Sequence, residues 1–131
     1  MLKLIRIDNA RMNVPEPEYF VTSDTIKAGE LLRFYDGRVQ RITKKEHFPQ
    51  ACSLSPANAG ERVAVCLLSP EQIWEVESWY SPEEDVKLEP GVGVWLQNGK
   101  INGPGDHAVI VSSNGARLGV DKVQIRFNMK P

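Results

Sequence analysis

The sequence predicts an all-β protein: a compact β-barrel or sandwich with an internal pseudo-repeat of hairpins, at most one or two short helical turns and an extended N-terminal arm. Two observations carry this. The run Lys27-Ala28-Gly29-Glu30-Leu31-Leu32-Arg33-Phe34-Tyr35-Asp36-Gly37-Arg38-Val39 recurs, without a gap, as Glu89-Pro90-Gly91-Val92-Gly93-Val94-Trp95-Leu96-Gln97-Asn98-Gly99-Lys100-Ile101. Asp-Gly and Asn-Gly between apolar runs mark two-residue hairpins, because a type I′ turn needs positive φ at both central positions. Side chains two apart share a strand face, so Leu32, Phe34 and Val39 line one side, as do Val94, Leu96 and Ile101. The second observation is an acid–base–Val strand, Glu61-Arg62-Val63-Ala64-Val65, which recurs as Asp121-Lys122-Val123-Gln124-Ile125.

In chain order, Met1 to Ile7 alternates enough to form a short strand. Asp8 to Glu18, with Pro15 and Pro17 removing backbone donors, reads as extended arm. The chain therefore divides into an arm, residues 1–20, and one β domain, residues 21–131. Tyr19 to Thr22 is strand-like, the first hairpin follows, and the second strand of that hairpin leads through the polar Lys44 to Pro49. Arg38, Arg41, Lys44 and Lys45 fit a solvated strand face. Ala51 to Gly60 is small and rich in turn residues, and Glu61 to Leu68 is a buried strand.

Ser69-Pro70-Glu71-Gln72 and Ser81-Pro82-Glu83-Glu84 both have capping-box form. The first runs straight into the alternating Ile73 to Glu77, so only a turn is expected there; the second can open one helical turn. Trp74, Trp79 and Tyr80 are the largest aromatic concentration in the chain. After the second hairpin, Asn102 to His107 is a loop, Ala108 to Val111 a strand and Ser112 to Gly115 a turn. Arg117 to Val120 begins another strand, and Lys122 to Phe127 alternates cleanly as a closing one.

Composition narrows the function. With 41% hydrophobic and 25% charged residues, the chain is an ordinary globular one. A net charge of −1 gives no overall footprint for nucleic acid or anionic membrane. No apolar run approaches the roughly 20 residues of a membrane span, and the N-terminus lacks the order of a signal peptide. Cys52 and Cys66 have no Cys-x-x-Cys spacing; they fit two buried free thiols in a reducing compartment better than a disulfide, which stays the alternative.

Catalytic and metal chemistry find little to work with. The histidines His47 and His107 stand apart, and neither Asp106-His107 nor Cys52 with His47 has an orienting third group. Glu75, Glu77, Glu83, Glu84 and Asp85 lack the spacing of a calcium loop. No cofactor, metal or catalytic residue is expected, and enzyme is the disfavoured class.

The pattern resembles the small β-barrel capsid decoration, or head cement, proteins of tailed bacteriophages. Its carriers are Ala28-Gly29 to Phe34, Ala59-Gly60-Glu61 to Val65, Gly91 to Leu96, Leu118-Gly119 and Val123 to Phe127, across residues 24–127. The Trp74–Asp85 insert and the Pro-containing arm depart from that pattern. The resemblance implies a non-enzymatic virion protein on the outer capsid surface, made in the host cytoplasm. It further implies a homotrimer bound to the major capsid protein. On this expectation the contacts fall outside the repeat, at Leu2, Leu4, Ile5, Ile7, Met12, Val14, Trp74, Trp79 and Tyr80, with the N-terminal strand adding to a neighbour's sheet edge. The competing readings are a nucleic-acid- or ligand-binding β-barrel, which the near-neutral charge disfavours, and another virion component such as a tail or head-completion protein.

Overall fold

Both hairpins form where the Asx-Gly turns place them. Asp36 and Gly37 hold positive φ of 52° and 74°, and Gly99 matches at 73°. Phe34 faces Val39 in one hairpin and Leu96 faces Ile101 in the other. The structure, a computed structural model, describes residues 2–7, 16–78, 89–97, 99–112 and 122–128. Its strands are β1 (Lys3–Ile7), β2 (Glu18–Val21), β3 (Leu31–Tyr35), β4 (Arg38–Arg41), β5 (Ala51–Ser53), β6 (Arg62–Leu67), β7 (Gln72–Ser78), β8 (Gly93–Gln97), β9 (Lys100–Pro104), β10 (Ala108–Ser112) and β11 (Lys122–Phe127). Among the described residues there is no helix. The second capping-box segment and the expected turn and strand start after Ser112 lie outside the described residues. At Ser69–Gln72 the chain makes the expected turn, and half of the capping box survives in it: Gln72 Oε1 accepts the Ser69 N–H at 3.2 Å.

The strands form two sheets, ordered β2-β6-β5-β3-β4 and β1-β7-β11-β10-β8-β9. They pack as a sandwich, and one buried cluster runs from Leu31, Cys52, Cys66 and Leu68 of the first sheet to Trp74, Ile125 and Phe127 of the second. A single barrel through all strands is not formed. Each sheet instead coils until its first and third repeat strands meet in parallel, Thr22 beside Val39 in one and Ser78 beside Ile101 in the other.

Leaving β1 aside, the two strand orders are the same order, so the pseudo-repeat is a duplication of a whole five-strand unit. Away from the bulges of the second unit the registers agree. Leu32 opposite Ala51 becomes Val94 opposite Ala108. Ala51 opposite Leu67 becomes Ala108 opposite Phe127. Phe20 opposite Val63 becomes Val76 opposite Val123. The loops repeat as well: Gly29 N–H donates to Ser53 O at 2.8 Å and Gly91 N–H to Ile110 O at 2.9 Å.

The duplication reaches a polar side chain. Gln50 Oε1 accepts the Phe34 N–H at 2.8 Å, and at the matching place His107 Nδ1 accepts the Leu96 N–H at 3.1 Å. With Nδ1 accepting, the ring's hydrogen sits on Nε2, which donates to Lys45 O at 2.9 Å. His107 is thus a fully buried brace between the repeats.

The units differ at Gly93, the counterpart of Leu31. A β-bulge between Trp95 and Leu96 shifts the second hairpin's register, and the chain folds back so that Gly105 N–H donates to Gly93 O at 3.2 Å. A Cβ on Gly93 would stand 2.5 Å from the Gly105 carbonyl oxygen, which is backbone and yields only if the strand moves. Gly93→Ala is expected to lower stability by about 1–3 kcal/mol, the range for overpacking a well-packed site, read as a fall in the urea midpoint.

Within the segment expected as an arm, residues 3–7 are extended but not free. β1 is antiparallel to β7, with Leu4 opposite Trp74 and Ile7 opposite Gln72. The strand expected to add to a neighbour's sheet is taken up by its own chain, because β9 pairs with β7 only at Glu77 and Ser78 and leaves the edge over Gln72 to Glu75 for β1. Glu18 to Phe20, also inside that segment, belong to β2.

Candidate interaction surface

Two regions outside the interior of the repeats stand out. The first is an apolar pocket between the sheets, about 430 Å³, lined by Leu2 and Leu4 of the β1 segment, Trp74 of β7, Leu54, and the thiols Cys52 of β5 and Cys66 of β6. In a strand only alternate residues face the interior, so Leu31, Cys52 and Cys66 turn to the outer face of the first unit. The second sheet covers that face. Cys52 and Cys66 are directly opposite one another and unbridged. Each Sγ–H donates to the carbonyl of the following residue, at 3.7 Å for Cys52 and 3.6 Å for Cys66. Burial, then the neighbouring Cys66, pushes the Cys52 thiol up to about 12. Burial also raises Cys66, with a hydrogen bond to Gln72 pulling the other way. Both stay protonated thiols at neutral pH, so their thiolate fraction grows only as pH rises.

The second region is the outer face of the first hairpin. Because Leu32 and Phe34 point inward, Arg33 and Tyr35 point out. The Arg33 guanidinium lies 5.0 Å from the centre of the Tyr35 ring, and its Nε donates to Gln40 Oε1 at 3.0 Å. Arg38 faces Tyr35 across the turn. Tyr35 and Tyr19 are 59% and 64% exposed, the most exposed large apolar side chains described. Arg41, on the same strand as Arg38, is paired at 3.1 Å with Glu30. Partial burial, followed by the charges of Arg33 and Lys44, holds His47 below its ordinary value.

The residues expected to make contacts divide three ways. Leu2 and Leu4 face the pocket, and Ile5 and Ile7 lie on β1. Trp74 is only 3% exposed, within the core cluster and with Leu4 of β1 beside it, and its indole N–H donates to Gln72 Oε1 at 3.0 Å. Met12, Val14, Trp79 and Tyr80 lie outside the described residues, as do Glu83 to Asp85. Tyr19, Arg33 and Tyr35 stand outside the set of contacts expected from the sequence. The inward alternation of Leu32 and Phe34 was the signal that put Arg33 and Tyr35 on the outside.

Among the described residues, no three His, Cys, Asp or Glu side chains converge on a point that could hold a metal ion. Asp106-His107 forms no acid–base pair facing solvent, since the imidazole is buried and both nitrogens are engaged. No described helix is long and apolar enough to cross a membrane. No protein-family model matches the chain, and no curated protein matches it either.

Proposed function

We propose that this protein is a structural virion component of a tailed phage that binds the outer capsid surface and cements the shell, without catalysis, as a homotrimer on the major capsid protein. One observation carries most weight: a doubled β unit, braced internally by His107 and Gln72, that presents an arginine–tyrosine face to solvent. Arg and Tyr are over-represented at binding hot spots, and a rigid scaffold keeps the ordering cost of docking small. Three copies of one modest contact then bind by avidity.

The experiment adds purified protein to undecorated capsids and measures occupancy, with light scattering giving the free protein's mass. A trimer mass and saturable occupancy are expected. Tyr35→Ala together with Tyr19→Ala is expected to weaken capsid binding at least about tenfold, as loss of hot-spot side chains does, with the melting temperature unchanged. Saturable binding that the double variant leaves untouched would remove this face from the proposal. Absence of capsid binding would end the cement reading itself.

A second reading rests on the same face. Arg33 stacked on Tyr35, with Tyr19 exposed, is also the furniture of a single-stranded nucleic-acid platform. Oligonucleotide binding at low salt that falls steeply as salt rises would favour it. Binding to tails or to the head–tail joint in place of capsids would point to a tail or head-completion protein.

A further inference from the structure

The thiol pair has no role in the reading above and does not depend on it. Leu68 N–H donates to Gln50 O at 3.0 Å and Leu54 N–H to Ala64 O at 2.8 Å, on either side of Cys52 and Cys66. In an antiparallel pair the narrow, doubly bonded rungs alternate, so Cys52 and Cys66 occupy the rung between these two. Facing residues on such a rung have Cα atoms about 5.5 Å apart, inside the span of about 4.4–6.8 Å that a disulfide bridges. The matching rung of the second unit holds Val109 and Arg126, so the fold itself does not require sulfur there. Both cysteines line the 430 Å³ pocket between the sheets.

We infer that Cys52 and Cys66 are a closable dithiol, which forms a cross-strand disulfide when the protein leaves a reducing compartment and meets a low-molecular-weight disulfide, with the pocket as the reagent's way in. One cysteine loses its proton and attacks a sulfur of the reagent, RSSR. That S–S bond breaks, and the departing thiolate takes up the proton as RSH. The second cysteine, deprotonated in turn, attacks the mixed disulfide and expels the other RSH. Two Cys–SH and RSSR become one Cys52–Cys66 bond and two RSH, the protein losing two electrons and two protons to the reagent. Cys66, the less strongly raised of the two thiols, is the first nucleophile. The rate climbs about tenfold per pH unit, as the thiolate fraction does well below the thiol's own value.

The test incubates the folded full-length protein with oxidised glutathione at pH 8.5, blocks remaining thiols under denaturing conditions, and maps disulfide peptides. The expected result is a fall from two blockable thiols to none, a single intramolecular Cys52–Cys66 peptide, and a higher melting temperature that reductant reverses. Cys52→Ser is expected to stop at the mixed disulfide on Cys66. Two blockable thiols after prolonged incubation, a bond that forms only in denaturant, or one that joins separate molecules would each overturn the inference.

Discussion

Replacing His107 with leucine is expected to cost about 2–5 kcal/mol, while replacing it with glutamine is expected to cost less than about 1.5 kcal/mol. Leucine strands the Leu96 N–H and the Lys45 carbonyl, both now bonded to the ring; an orphaned buried backbone group costs about 1–3 kcal/mol. Glutamine is already the solution at the matching place, where Gln50 accepts the Phe34 N–H. The same pair of variants tests a pH effect. Burial holds His107 below its ordinary value of 6.5, with the Lys45 carbonyl pulling the other way. Protonation would also set a second hydrogen against the Leu96 N–H. A histidine lowered in the folded state binds fewer protons there than in the unfolded chain. Its stabilising contribution is therefore complete above pH 6.5 and is lost as pH falls through the lowered value. Chemical denaturation at stepped pH is expected to give the parent protein a steeper acid limb than His107→Gln. His47, lowered as well but partly exposed, supplies a smaller remainder.

The hairpins were legible because their signals are local. Asp36-Gly37 and Asn98-Gly99 dictate turns, and period-two alternation fixes which residues face in. β6 and β11 were legible for the same reason. The remaining strands of the duplication share almost no chemistry: β5 reads Ala-Cys-Ser where β10 begins Ala-Val-Ile, and β2 and β7 agree only in register. Gln50 and His107 share an acceptor atom and nothing that a residue type reveals. Position relative to other strands was also invisible. Trp74 alternates like any strand residue, and whether its outer side meets water depends on β1, nearly 70 positions away in the sequence. The exposed Arg33–Tyr35 face followed from the alternation already read, yet its stacking is a side-chain choice that spacing does not specify.

Trp74→Ala is expected to destabilise the isolated protein by about 3–5 kcal/mol, the range for deleting a large aromatic from a core. That is a large part of the roughly 5–15 kcal/mol that holds a domain together. The indole packs edge-on against Phe127 at 6.1 Å, and Leu4 of β1 is its cross-strand neighbour. Its N–H binds Gln72, whose own amide donates to Leu67 O at 3.0 Å and whose oxygen also takes the Ser69 N–H. Through that glutamine the tryptophan steadies the turn joining the two repeats, so its loss loosens β1 and the junction together. Trp74→Phe keeps most of the apolar contact and gives up the hydrogen bond and some volume, and is expected to cost about half as much or less. Urea denaturation of the free protein decides between core and contact roles. An anchor for a partner would leave the free protein's midpoint in place and change only assembly. A core residue moves that midpoint before any partner is added, and the burial of Trp74 in the core cluster requires the second result.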